Sequence, residues 1–211
     1  MKPVVSIIIP TYNRAAYLPR AISSVVEQSY SAWELIIIDD GSTDATQEVV
    51  RSIAATERRI RSVRRLHRGV YPALNTGIRT AVGTYITFLG SDDRLNSSHI
   101  SRRVGYLMRH PEVDMLHGGV RIIGQPYVVD ADHPGRRIHL KYCAIGGTFF
   151  GRREVFTSLG GFQTRRYGGD AAFLAVAQGR FTIRHVSWPT YVYHRDTPGS
   201  ITNKKLARNK V

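Results

Sequence analysis

The fold is decided between Val4 and Asp40, "VVSIIIPTYNRAAYLPRAISSVVEQSYSAWELIIIDD". Val4–Pro10 is a short continuous apolar run rich in β-branched residues, the pattern of a strand buried on both faces. Between Tyr17 and Gln28 apolar residues return at helical spacing (Leu18, Ile22, Val25, Val26), and Pro19 is tolerated in a first turn. Glu34–Asp40 repeats the buried-strand pattern. Strand, helix and strand of these lengths make a right-handed crossover between parallel strands of an open α/β sheet.

Outward from this unit the alternation continues. Gly41–Ala55 reads as turn chemistry followed by a helix, with Asp44 and Gln47 spaced as a capping pair. Ile60–Leu66 is a weak edge strand, Tyr71–Val82 a helix opened by proline, and Thr84–Gly90 the next central strand. The second half is less regular. Ser97–His110 and Arg152–Phe162 read as helices, and Val113–Ile123, Cys143–Gly151 and Phe181–His194 as strand regions. Asp170–Gly179 is a helix with Asp170 as its opening residue, and Gln125–Arg137 reads as a loop. No repeat, low-complexity segment or linker interrupts the 211 residues. One domain is expected, with residues 1–95 and 96–211 as its two halves.

Composition is ordinary for a globular chain, 42% hydrophobic and 22% charged, except for a formal net charge of +14. That excess points to an anionic partner or a solvated basic face. Arginines gather between Arg51 and Arg68, and a second basic group runs from Lys204 to Lys210. The single cysteine, Cys143, excludes an internal disulfide and a cysteine-rich zinc site. The apolar run at the N-terminus is too short for a signal peptide, and no stretch approaches a membrane span. A cytoplasmic protein is expected.

In open α/β sheets ligands bind beyond the carboxyl ends of the strands. Three polar strand ends converge there: Pro10–Asn13, Asp39–Ser42 and Ser91–Asp93. In "FLGSDDRL" (Phe88–Leu95) two carboxylates, Asp92 and Asp93, stand side by side. They are either a surface turn or ligands for a hard divalent cation carrying substrate phosphates.

These segments resemble family 2 glycosyltransferases of the GT-A fold. "VSIIIPTYNRAAYLPRAISSVVEQSYSAWELIIIDDGSTDAT" is similar to the family's opening and "RGVYPALNTGIRTAVGTYITFLGSDDRL" to its second block. "GTFFGRREVFTSLGGF", "GGDAAFLAVAQGRF" and "YHRDTPGSIT" follow in family order. The resemblance implies an open, mostly parallel Rossmann-like sheet flanked by helices, with a smaller mixed acceptor-side portion. It implies an inverting transferase that moves a sugar from a nucleotide-diphosphate sugar, a UDP-sugar foremost, to an acceptor hydroxyl with Mn2+ or Mg2+. Carried over residue by residue, Pro10, Thr11, Tyr12, Asn13, Asp39, Asp40, Gly41 and Arg68 contact the nucleotide. Asp92 meets the ribose, Asp93 binds the metal, His194 is a second candidate ligand, and Arg195 contacts the phosphates. Asp170 is the general base, or else only a helix N-cap. Trp188 and Tyr191 either stack a sugar or belong to the core.

The implied acceptor is a glycan, a lipid-linked molecule or another hydroxyl compound, with peripheral contact to the inner face of an anionic membrane. Nucleic acid is not expected, for want of an aromatic-interleaved basic motif. Two departures stand out. Gly90 lies where relatives usually carry an aspartate, and Gly169 where they carry a glutamate. They keep open a rival identity, an inactive module of the same fold that binds an anionic partner through its basic surface.

Overall fold

The structure is a computed structural model describing residues 3–130, 133, 135–165 and 168–200. Its first half is the expected alternation: β1 (Val5–Thr11), α1 (Leu18–Val26), β2 (Trp33–Asp39), α2 (Thr46–Thr56), β3 (Ile60–Arg64), α3 (Val70–Thr80) and β4 (Tyr85–Phe88). β1 pairs in parallel with both β2 and β4, and β3 is the parallel edge strand beside β2. The second half contributes β5 (Arg94–Leu95), α4 (His99–Arg109), β6 (Met115–His117), β7 (Val120–Ile123), β8 (Tyr127–Val129) and β9 (Arg137–His139). β10 (Phe150–Arg152), α5 (Arg153–Ser158), α6 (Gly169–Gln178), β11 (Ile183–His185) and β12 (Tyr191–His194) complete it.

The main sheet has the order β11-β6-β10-β4-β1-β2-β3, so strands of both halves share it. β10 runs antiparallel to β4 and β6. A small sheet, β5-β12-β7, and the hairpin β8-β9 lie beside it.

The continuous apolar runs of β1 and β2 are explained by cover on both faces. Ile7, Ile9, Leu35 and Ile37 pack with Leu18, Ile22 and Val25 of α1 and with Ile100, Val104 and Leu107 of α4. Ile8, Ile36 and Ile38 face the other way, onto Ala73, Leu74 and Ile78 of α3 and Phe173 of α6. That second core is built of aromatic rings. Phe162 lies 4.7 Å from Phe173, 5.3 Å from Phe88 and 5.8 Å from Tyr71 between ring centroids.

Four expectations change. Val113–Ile123 is two strands in different sheets, because Gly118 and Gly119 both take positive φ (90° and 73°) and break the run. Only the last two residues of the Cys143–Gly151 segment, Phe150 and Gly151, are in a strand, since Gly146–Thr148 closes a 3-10 turn. Gln125–Arg137 contains β8 and the start of β9. Asp44 and Gln47 do not form a capping box; Asp44 Oδ1 instead accepts the Thr46 N–H at 3.0 Å.

Phe162 ties α3 to α6 through Tyr71 and Phe173. Phe162→Ala is expected to lower unfolding free energy by about 3–5 kcal/mol, measured by urea denaturation. A loss below about 1 kcal/mol would show that the ring cluster is not cooperative packing.

Candidate active site

The ends of β1 and β2 form one wall of the crevice. Asp39 is buried, and its Oδ1 accepts the Ser42 N–H at 2.8 Å. Its Oδ2 has no hydrogen-bond partner among the described residues, with Arg64 Nε 3.8 Å away. Buried acceptors are ordinarily satisfied, so this oxygen is available to a ligand N–H. Thr11, its register partner on β1, also has a buried hydroxyl without a partner among the described residues. Pro10 precedes it, and Tyr12 beyond it is exposed and stacks on His67 at 3.9 Å between ring centroids.

Asn13 and Asp40, expected on the nucleotide, are engaged by the protein itself. Asn13 takes a left-handed conformation (φ 51°), and its Oδ1 accepts the Thr43 N–H at 2.8 Å. Asp40 accepts the Gly69 N–H at 2.7 Å and pairs with Arg65 and His67 at 3.2 and 2.9 Å. Both brace the loops around the pocket, with Gly41 turning between them (φ 82°).

The end of β4 separates the two aspartates. Asp93 is 3% exposed. Its Oδ2 accepts the Tyr191 hydroxyl at 2.5 Å and its Oδ1 the His194 N–H at 2.8 Å. Burial, and then the neighbouring charge of Asp92, push its carboxyl up to about 7. Asp93 therefore does not fit the role of an open metal ligand; it anchors β12 beneath the crevice. Asp92 is only partly buried. Desolvation raises its pKa, opposed by Arg14, Arg20 and His194. Arg20 also donates to the Asp92 carbonyl. His194 Nδ1 contacts Asp196 at 3.2 Å, while its Nε2 is buried without a partner among the described residues.

Asp170 is not the cap of α6. Gly168 holds that position, and the Asp170 carboxylate points to another element, its Oδ2 accepting the Gly146 N–H at 2.9 Å. Burial raises its pKa, opposed by the Gly146 N–H and by a hydrogen bond from Tyr71. A Cβ on the next residue, Gly147, would stand 2.3 Å from the Tyr191 hydroxyl that holds Asp93. The Gly146–Gly147 turn thus touches both acidic centres.

Other expectations resolve differently. Arg195 is buried, and its guanidinium donates to the carbonyls of Gln125 (3.3 Å) and Tyr127 (3.4 Å), which ties it to the segment that leads into β8. Tyr191 is core, and Trp188 packs edge-on against Tyr106 of α4. Arg68 is exposed and lines a groove of about 450 Å3 along α3 with Arg65, Thr76, Arg79 and Thr164; among the described residues no carboxylate lines it. Arg65 and Arg79 both donate to the Thr76 hydroxyl, at 3.3 and 3.2 Å. Sequence reasoning passed over Arg14, Arg20, Tyr71 and Gly146. Arg14 follows the first polar strand end directly, and that position was the available signal.

Known proteins share this fold. The sequence profile described as "Glycosyl transferase family 2" matches residues 6–160. The chain belongs to this family. A PGL/p-HBAD biosynthesis glycosyltransferase of Mycobacterium tuberculosis is 31% identical over 192 residues, 90% of this chain and 72% of that protein. The putative teichuronic acid biosynthesis glycosyltransferase TuaG of Bacillus subtilis is 35% identical over 108 residues, 51% of this chain and 43% of that one. S. aureus TarS, solved with UDP-GlcNAc, superposes with a TM-score of 0.77 at 18% identity over 96% of this chain. The mannosyltransferase PcManGT of Pyrobaculum calidifontis, solved with GDP-Man and Mn2+, gives 0.76 at 21% identity over 100%. The glycosyltransferase spans 61% and 62% of those two chains, and the shared architecture is the GT-A fold.

The family resemblance implies a divalent cation, so the donor set matters. Among the described residues of the glycosyltransferase, no three His, Cys, Asp or Glu side chains group closely enough to hold an ion by themselves. Asp92 fits as an oxygen ligand for manganese or magnesium supplemented by phosphate and water, and His194 Nε2, without a partner among the described residues, is a nitrogen donor that magnesium disfavours.

A buried acid whose folded pKa is raised favours the folded state while protonated and loses that contribution as pH rises towards the folded value. For Asp93 the window runs from about 4, its unfolded value, to about 7. In metal-free buffer the protein is expected to lose roughly 2–4 kcal/mol through this group across the window. Asp93→Asn should flatten the difference in urea-unfolding stability between pH 5 and pH 8. An unchanged difference would place the titration elsewhere.

Proposed function

We propose that this glycosyltransferase moves a sugar from a nucleoside-diphosphate sugar to an acceptor hydroxyl with inversion, within a single catalytic domain. The observation that carries the proposal is the Gly146–Gly147 turn. It touches Asp170 on one side and, through Tyr191 and Asp93, the Asp92 centre on the other.

The donor lies across the ends of β1, β2 and β4. Asp39 Oδ2 selects a base that offers a ring N–H, as uracil and guanine do and adenine and cytosine do not; uridine is the base proposed. Tyr12 and His67 border the base. Asp92 and His194 hold the cation, which offsets charge on the departing diphosphate when bound. Arg14 and Arg20 face the same charge from the protein side. Asp170 accepts the proton of the acceptor hydroxyl as its oxygen bonds to the anomeric carbon and the bond to the diphosphate breaks. Attack from the face opposite the diphosphate inverts that carbon. A carboxylate raised towards neutrality by burial is a better base than a solvated one, provided it is ionised.

The assay is release of nucleoside diphosphate from UDP-glucose, UDP-GlcNAc and GDP-mannose with manganese. Asp170→Asn is expected to slow release by about 10²–10⁴-fold while donor binding, read by thermal shift, persists. Asp92→Asn should abolish the manganese-dependent part of donor binding. Parental rates in the first variant, or unchanged metal dependence in the second, would each remove that residue from its role.

The groove along α3 supports an anionic acceptor, such as a lipid-linked phosphate at the inner face of a membrane. Among the described residues no helix is long and apolar enough to cross one, so contact would be peripheral. Each basic residue near an anionic bilayer contributes about 1 kcal/mol. Arg79→Glu should therefore weaken sedimentation with phosphatidylglycerol vesicles at least several-fold and leave UDP binding intact. Equal partition of the parent onto neutral and anionic vesicles would argue against this acceptor.

A further inference from the structure

Gly169 stands beside the base, where the family resemblance places a second acid, yet its surroundings are full. A Cβ on Gly169 would lie 2.4 Å from Tyr71 Cζ and 2.7–2.8 Å from both Cε atoms of that ring. The ring occupies the volume in which a side chain at 169 would begin. Tyr71 comes from the first turn of α3 and stacks on Phe162 at 5.8 Å between centroids and 24° between planes. Its hydroxyl accepts the Gly169 N–H at 2.9 Å. A phenol has one proton to donate, and the Asp170 side chain is the neighbour whose ionised form the Tyr71 hydroxyl favours. The Gly146 N–H, at 2.9 Å, reaches Oδ2 of the same carboxylate.

We propose that Tyr71 is the positioning residue for Asp170, filling the space left by the missing acid and fixing the carboxylate with its hydroxyl. The proposal rests on the reading of Asp170 as general base. It replaces a charged neighbour with a neutral donor, and the two act in opposite directions. A second carboxylate beside Asp170 would disfavour its ionised form, whereas a hydroxyl donating to it favours that form. In a desolvated site each such donor carries more weight than in water. Among the described residues, Tyr71 is the titratable side chain that faces this carboxylate, and Gly146 supplies the backbone donor. Burial works against ionisation, and these two contacts offset it in part.

Tyr71→Phe separates positioning from packing, because it keeps the ring, the stack on Phe162 and the filled volume while removing the hydroxyl. Release of nucleoside diphosphate from the donor sugar with manganese is followed from pH 5 to pH 9. The acid limb of kcat is expected to move up by about one pH unit, with KM for the donor unchanged and the rate largely recovered at high pH. The carboxyl carbon resonance of Asp170, assigned by its loss in Asp170→Asn, should titrate upward by the same amount and does not depend on turnover. A second pair tests the volume. Gly169→Ala in the parent should lower both Tm and rate, and in a Tyr71→Ala background the same change should lose most of that effect.

An unmoved limb and an unmoved resonance in Tyr71→Phe would reduce Tyr71 to packing, and additive effects at 71 and 169 would overturn the shared volume. Either can happen while Asp170→Asn remains inactive, which leaves the base in place. Parental activity in Asp170→Asn overturns the base itself.

Discussion

The site depends on how closely one turn approaches two buried acids. Gly146 donates to Asp170, and Gly147 lies against the Tyr191 hydroxyl that holds Asp93. Topology brings the turn there. β10 runs antiparallel to β4, so the segment that enters β10 lies at the end of the sheet where β4 gives way to Asp92 and Asp93. The turn is pinned in its own right, as the Thr148 hydroxyl accepts the Gly118 N–H at 2.9 Å and donates to the Ile145 carbonyl at 2.7 Å. A parallel strand in the same place would enter from the opposite end and bring its exit, not this entry turn, to the crevice.

Electrostatics follows from that packing. In a chain of net charge +14, Asp92, Asp93 and Asp170 are nevertheless raised by desolvation, because low local solvation outweighs a screened surface field. Asp92 is tempered by Arg14, Arg20 and His194. Asp93 and Asp170 are instead met by uncharged donors, a phenol and a backbone amide each. Part of the surface excess, Arg65, Arg68 and Arg79, lines the groove along α3 instead.

The first half of the fold was legible because its signals are local: apolar runs for strands covered on both faces, helical spacing between them, and polar residues at the strand ends. The family resemblance likewise rested on contiguous blocks. What escaped depends on distant chain segments. Adjacency gives no account of which of Asp92 and Asp93 turns inward, since that is settled by Tyr191 and the His194 backbone, about a hundred residues on. Aspartate before a helix suggests a cap, but the partner of Asp170 is the amide of Gly146. Arg195 looked like a phosphate contact, and only the hairpin β8-β9, read as loop, explains where its guanidinium goes.

Gly90 shows what such packing means for substitution. A Cβ at that position would fall 2.4 Å from Asp93 Oδ2, so any side chain there requires the end of the Asp93 side chain to shift. Moving Asp93 aside would in turn free Tyr191 and the backbone of His194. Position 90 is thus epistatic with three residues at once: the effect of a substitution there is set by how far those neighbours give way, and not by the chemistry of the new side chain alone.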